Sequence, residues 1–164
     1  MPTSPTPLHR GVQLGALPWR DGPSGREVLL ITTRGGRQWL VPKGKPMRGF
    51  TPAQAAAEEA WEEAGVRGEI ADEPIGAFSH RKGSVFAGRR LQVDLYPLKV
   101  EREADDWPEA HERQRRWVSI PAALRMVRSP GLCALIAMFG DQPLSRRARL
   151  LVALRRFTPR RLRH

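Results

Sequence analysis

Residues 44–66 read GKPMRGFTPAQAAAEEAWEEAGV, and the fold turns on how this stretch is built. Thr51, Pro52 and Gln54 form a helix start. The threonine hydroxyl can accept from the third helical N–H, the glutamine can reach back to the cap, and proline suits the first position, where its N–H is not needed. The spacing predicts a helix that runs to Ala64, with Gly65 as the left-handed residue that closes it. Ala53, Ala56, Ala57, Ala60 and Ala64 give that helix a small apolar stripe, so it can lie close to a sheet. Glu58, Glu59, Glu62 and Glu63 place four acids within six successive positions. The pairs Glu58/Glu62 and Glu59/Glu63 are i,i+4, and Glu59/Glu62 is i,i+3. Each such like-charge pair costs about 0.2–0.5 kcal/mol on an isolated helix. The helix dipole also disfavours anions near the C-terminus. Repelling acids on a tightly docked helix call for a counter-ion, and carboxylate oxygens suit Mg²⁺ or Mn²⁺. On spacing alone, a solvated acidic face explains the four acids equally well.

The residues before the helix shift that balance. Lys43 and Gly44 sit in a turn bracketed by Pro42 and Pro46. Glycine there lets backbone groups approach an anion or orient a metal site. A phosphate-meeting turn beside a carboxylate–metal cluster suits metal-assisted hydrolysis of a phosphoanhydride, with a carboxylate accepting a proton from the attacking water.

The stretch 44–66 resembles the Nudix box. Gly44, Glu59, Ala60, Glu62, Glu63, Gly65 and Val66 match at the required spacing. Phe50 stands where that family has its first Glu, and Glu58 where it has Arg. The flanks agree: W-x-V-P-x-G before the box, and R-W plus a helix after it. The resemblance implies a Nudix-like α/β/α sandwich with a mixed β-sheet. It also implies that Glu59, Glu62 and Glu63 coordinate a divalent metal (Mg²⁺ or Mn²⁺), with Glu59 and Glu63 on one face and the Gly44 carbonyl joining the shell. The two departing positions are expected to help hold the loop and orient the helix in the family. Their joint change reads as loss of a structural pair, with Phe50 anchoring by hydrophobic contact or Glu58 serving as an extra ligand. Glu112, in HERQRRW, resembles an extra acid that acts as ligand or base in many members. A solvated loop acid explains it equally well.

The order R-x-x-x-x-W-L-V-P-K-G over 34–44, and R-Q-R-R-W-V followed by I-P-A-A-L over 113–124, are similar to diphosphoinositol polyphosphate phosphohydrolases. The first is also similar to dinucleoside polyphosphate hydrolases. Such substrates are very anionic and require a basic pocket. Arg34, Arg37, Lys43, Lys45, His80, Arg81, Lys82 and Arg115 are the candidates, and Thr32 and Arg34 match phosphate-contacting positions of the inositol group. Trp39 and Trp117 read as core, which leaves Trp107 as the exposed candidate for stacking on a base.

Outward from the box, strands are predicted over 11–18, 27–33, 39–41, 75–79, 91–100 and 116–119, with a short one near Val85. Turns fall at 21–25, 34–37 and 81–83, and 101–112 reads as an acidic loop. Helices are predicted over 121–128, 131–139 and 144–157. This is an α/β (α+β) single domain over 10–140, preceded by a Pro/Ser/Thr-rich segment 1–9 predicted to be disordered. The single cysteine, Cys133, excludes an internal disulfide framework and a Cys-built zinc site. No apolar run is long enough to span a bilayer, and MPTSPTPLHR lacks the apolar core of a secretory signal, so a cytoplasmic setting is expected.

Net charge is +11, but eight arginines and no acid fall within 145–164, leaving +3 for residues 1–144. That tail, 141–164, reads as a helix docked by its Leu/Phe stripe, as an interfacial or nucleic-acid-binding helix, or as a disordered basic end. Two function classes follow. One is a metal-dependent pyrophosphohydrolase acting on a small polyphosphorylated substrate. The other is a non-catalytic or RNA-directed protein of the same fold. The three ligand-type glutamates favour the first.

Overall fold

The computed structural model describes residues 11–82 and 88–141. The segment 1–9, the strand expected near Val85 and the arginine-rich helix or tail lie outside the described residues. In chain order the elements are β1 (Val12–Gly22), β2 (Gly25–Thr32), β3 (Trp39–Leu40), β4 (Lys43–Gly44), α1 (Pro52–Ala64), β5 (Val66–Ile70), β6 (Gly76–Lys82), β7 (Arg89–Glu103), β8 (Arg115–Ser119), α2 (Ile120–Met126) and α3 (Pro130–Phe139).

The eight strands form one mixed sheet. β1 runs parallel to β7 from Val12↔Gln92 to Trp19↔Lys99, and the remaining pairings are antiparallel. β1 and β2 meet as a hairpin only from Trp19↔Val28 to Gly22↔Gly25. Beyond that they part, and the chain from β3 to β4 fills the gap: Ile31 pairs with Leu40, and Leu14 with Gly44. This wedge carries Lys43 and Gly44 into the middle of the sheet.

The central strands are apolar on both sides, as expected of strands covered on both faces. One face presents Leu14, Ala16, Leu29, Ile31, Tyr96 and Leu98 to the buried alanines of α1, namely Ala53, Ala55, Ala56, Ala60 and Ala64, so that Ala55 and not Ala57 completes the expected stripe. The other presents Leu17, Val28, Leu30, Val93 and Leu95 to Ile120, Ala123, Leu132 and Ile136 of α2 and α3. The result is the α/β/α sandwich expected from sequence. The α1 caps are also as expected: Thr51 and Gln54 form a reciprocal capping box, and Gly65 closes the helix at φ 66°. Two strands were missed. β4 lies inside the proline-bracketed turn, and β5 starts directly after Gly65 with a bulge between Arg67 and Gly68. β6 also runs through Lys82, paired with Arg89, so Arg81 and Lys82 lie on a strand and not in a loop.

Candidate active site

The α1 face directed at β4 carries Glu59 and Glu63, one turn apart. Glu63 is only 7% exposed. One of its carboxylate oxygens accepts from the Lys43 backbone N–H at 3.1 Å, and the other accepts from Arg113 Nη2 at 3.0 Å. Burial pushes its pKa up, against the pull of Arg113 and Lys43. Glu59 is different. Its carboxylate lies against the Gly44 backbone, in the space that a Cβ on residue 44 would fill. Among the described residues no hydrogen bond or ion pair reaches it. Burial, then the charges of Glu63, Glu62 and Glu109, push its pKa up to about 7.

This donor set fits a hard divalent cation. The atoms are all oxygens, the Gly44 backbone lies against the Glu59 carboxylate, and burial and the neighbouring acids make that carboxylate's charge unfavourable until a cation offsets it. Among the described residues, no three His, Cys, Asp or Glu side chains already stand at metal-ligand separation.

The segment between β7 and β8 harnesses the end of α1, whose last carbonyls have no helical donors. Glu109 N–H donates to the Glu62 carbonyl at 3.1 Å, Ala104 N–H to Gly65 at 2.8 Å, Trp107 Nε1 to Glu63 at 3.2 Å and Arg115 Nη1 to Ala64 at 2.8 Å. Arg115 also donates to the Ala104 carbonyl at 2.6 Å and stacks 3.9 Å from the centre of the Trp107 ring. The structure thus places Arg115 in the α1 cap, and Trp107 is partly buried beneath it instead of being an exposed stacking platform. Thr32, expected near phosphate, is buried. Its hydroxyl accepts from the Gln114 N–H at 3.0 Å and its carbonyl from Arg113 at 3.1 Å.

Arg34 extends from the β2–β3 turn to Glu109 at 2.7 Å and Glu112 at 2.9 Å. Glu112 is half exposed at this rim. Phe50, expected to anchor by hydrophobic contact, is 49% exposed. Glu58, weighed as an extra ligand, pairs with Arg67 at 3.7 Å, and Arg67 lies over Trp61.

On the basic side, the charges of Lys43 and Lys82 act on His80. Burial, then Lys43 and Lys82, hold His80 down at about 4, so it is neutral at pH 7 and offers a hydrogen bond, not a charge. Burial lowers Lys43 as well. Arg37, Lys45 and Arg81 are exposed. Sequence reasoning missed Arg113 and Glu109. The signal available was alternation in HERQRRW: Arg113, Arg115 and Trp117 fall on one side, Gln114 and Arg116 on the other.

A family model described as NUDIX domain matches residues 10–132. Among curated proteins, the chain is 36% identical over 106 residues to Nudix hydrolase 12, mitochondrial, of Arabidopsis thaliana, covering 62% of this chain and 52% of that protein. It is 32% identical over 104 residues to diphosphoinositol polyphosphate phosphohydrolase 2 of Rattus norvegicus, covering 62% and 54%. The chain spans about half the length of these relatives. Among solved structures, a binary complex of C. elegans Ap4A hydrolase superposes with a TM-score of 0.59 at 20% identity, covering 79% of this chain and 95% of that one. The E. coli dihydroneopterin triphosphate pyrophosphohydrolase gives 0.62 at 18% identity, covering 82% and 97%. At these identities the two structures speak to the fold alone.

Proposed function

Because this chain belongs to the Nudix family, we propose that it is a metal-dependent pyrophosphohydrolase that cleaves a phosphoanhydride bond in a small, highly anionic substrate. The observation that carries this reading is the unpartnered Glu59 carboxylate on the Gly44 backbone, beside a Glu63 locked in place by Lys43 and Arg113.

Glu59, Glu62, Glu63 and the Gly44 carbonyl would hold the divalent cation, Mg²⁺ or Mn²⁺. When bound, that ion supplies Lewis-acid polarisation of phosphate oxygens and activation of water. The chain's own residues do the rest. Lys43, Lys82 and the neutral His80 line the sheet side and bind phosphate oxygens by charge and hydrogen bonding. Arg37, Lys45 and Arg81 add charge at the rim. Glu112, ion-paired with Arg34 at 2.9 Å, would accept the proton from the attacking water.

Two substrate types fit the charge: diphosphoinositol polyphosphates and dinucleoside polyphosphates. The first is favoured by what the indole rings already do. Each of the five tryptophans has an arginine or lysine of this chain over it, at 3.9 to 5.4 Å from a ring centre. A tryptophan clamp for a nucleobase is therefore poorly provided among the described residues.

The test is turnover of a panel with Mg²⁺ or Mn²⁺ and with chelator: inositol pyrophosphates, dinucleoside polyphosphates, nucleoside triphosphates, ADP-ribose and 5′-triphosphate RNA. Cation-dependent cleavage, fastest on an inositol pyrophosphate, is expected. No turnover of any member would sink the proposal.

A further inference from the structure

Resting on the hydrolytic reading above, we propose that Arg113 is the positioning residue for Glu63: its guanidinium fork, held by Glu109 and the Thr32 carbonyl, fixes that carboxylate for a divalent cation from outside the box.

α1 cannot do this for itself, because its last turn contains no basic residue. The two box positions that depart from the family pattern do not do it either. Phe50 is turned to solvent, and Glu58 is engaged with Arg67. Arg113 does reach Glu63, and its whole fork is in use. Nη2 donates to Glu63 Oε1 at 3.0 Å, Nε to Glu109 Oε2 at 2.6 Å and Nη1 to the Thr32 carbonyl at 3.1 Å. Its side chain is 10% exposed. Three acceptors around one planar group leave it a single orientation, and a lysine could not reproduce the fork. The anchor is itself anchored. Glu109 accepts from Arg34 through its other oxygen and ties its own backbone N–H to the Glu62 carbonyl. Hydrogen bonds from Arg113 and Arg34 hold the Glu109 pKa down even though burial would raise it.

The charge balance separates positioning from simple neutralisation. A lone guanidinium beside a cation site repels the cation, so its removal tightens binding. Arg113 instead arrives with Glu109, and the pair presents a nearly neutral fork to Glu63. What it contributes is geometry, and its removal weakens binding. Residues that orient metal ligands typically carry ~10–100-fold in affinity or activity.

The experiment titrates Mn²⁺ alone into the full chain, without substrate, and follows free Mn²⁺ by electron paramagnetic resonance. Parent, Arg113→Met, Arg113→Lys and Glu109→Gln are compared, with thermal unfolding as the folding control. Mn²⁺ affinity is expected to fall ~10-fold in both Arg113 variants and less in Glu109→Gln. At saturating Mn²⁺, kcat is expected to fall with KM nearly unchanged. Unchanged or tighter Mn²⁺ binding, or full rescue by lysine, overturns the proposal. If Arg113→Met does not fold, the lysine and Glu109→Gln variants decide, and parent-like binding in both is the contrary result. A parent that neither binds Mn²⁺ nor turns over the panel fails the hydrolytic reading itself. A parent that does both, with unaffected variants, fails only this inference.

Discussion

Glu59 concentrates the conflict between folding and chemistry. Its folded-state pKa, about 7, lies above the ordinary value of 4.5, so ionising it opposes folding. Its contribution to stability is full below the ordinary carboxylate range and is lost as pH rises through about 7. Glu59→Gln is therefore expected to raise the melting temperature in chelator by ~2–4 °C at pH 8 and not at pH 4.5, while lowering turnover at least ~100-fold. A melt of parent and variant at both pH values checks the sign. Phe50→Ala separates the two substrate types. Phe50 is the exposed aromatic within the box among the described residues, so if it stacked on a base the alanine variant would raise KM for a dinucleoside polyphosphate. The expected result on an inositol pyrophosphate is no more than a twofold change in kcat/KM. The glutamates were legible in the sequence because i,i+3 and i,i+4 spacing puts them together on any helix. Arg113 and Glu109 were not, since their contacts depend on how a long connection folds back over the helix end. The neutrality of His80 was not legible either, because it follows first from burial and then from Lys43, which only the fold brings close, together with Lys82 on its own strand.

α1 and its cap were readable almost residue by residue, because capping chemistry is local. Thr51→Ala should cost about 1 kcal/mol in chemical denaturation, since it removes the acceptor for the Gln54 N–H. The two glycines that frame the site should behave differently from each other. At Gly65 the backbone is left-handed, and a Cβ would lie 2.8 Å from Trp107 and from Arg115 Nη1. Gly65→Ala is expected to destabilise by ~1–2 kcal/mol. At Gly44 the atoms nearest a Cβ are those of the Glu59 carboxylate, the far end of a side chain that can shift. Gly44→Ala is expected to fold within about 1 kcal/mol of the parent yet lose ~10–100-fold in metal affinity. Unfolding curves and a Mn²⁺ titration on the same two variants test this split. β4 and β5 escaped sequence reading for physical reasons. A two-residue strand has no period to detect, and Gly68 interrupts β5 where Lys99 of β7 approaches its backbone.

For the molecule as a whole, the fold class followed from one helix with strands on either side and later helices, of which the two within the described residues formed. The parallel pairing of β1 with β7 did not, because it joins residues about 80 positions apart. That pairing, with the β3–β4 wedge, is what brings an acidic helix face against a basic sheet side. The net charge of +11 therefore conceals two separate things: a terminal run of arginines and, within the domain, opposed acidic and basic surfaces. The most direct test is hydrolysis of one inositol pyrophosphate with Mg²⁺, by the parent and by Glu63→Gln side by side, each with and without chelator. The expected result is parent turnover abolished by chelator and at least ~100-fold lower in the variant. Chelator-resistant turnover, or a Glu63→Gln protein as active as the parent, would contradict the account.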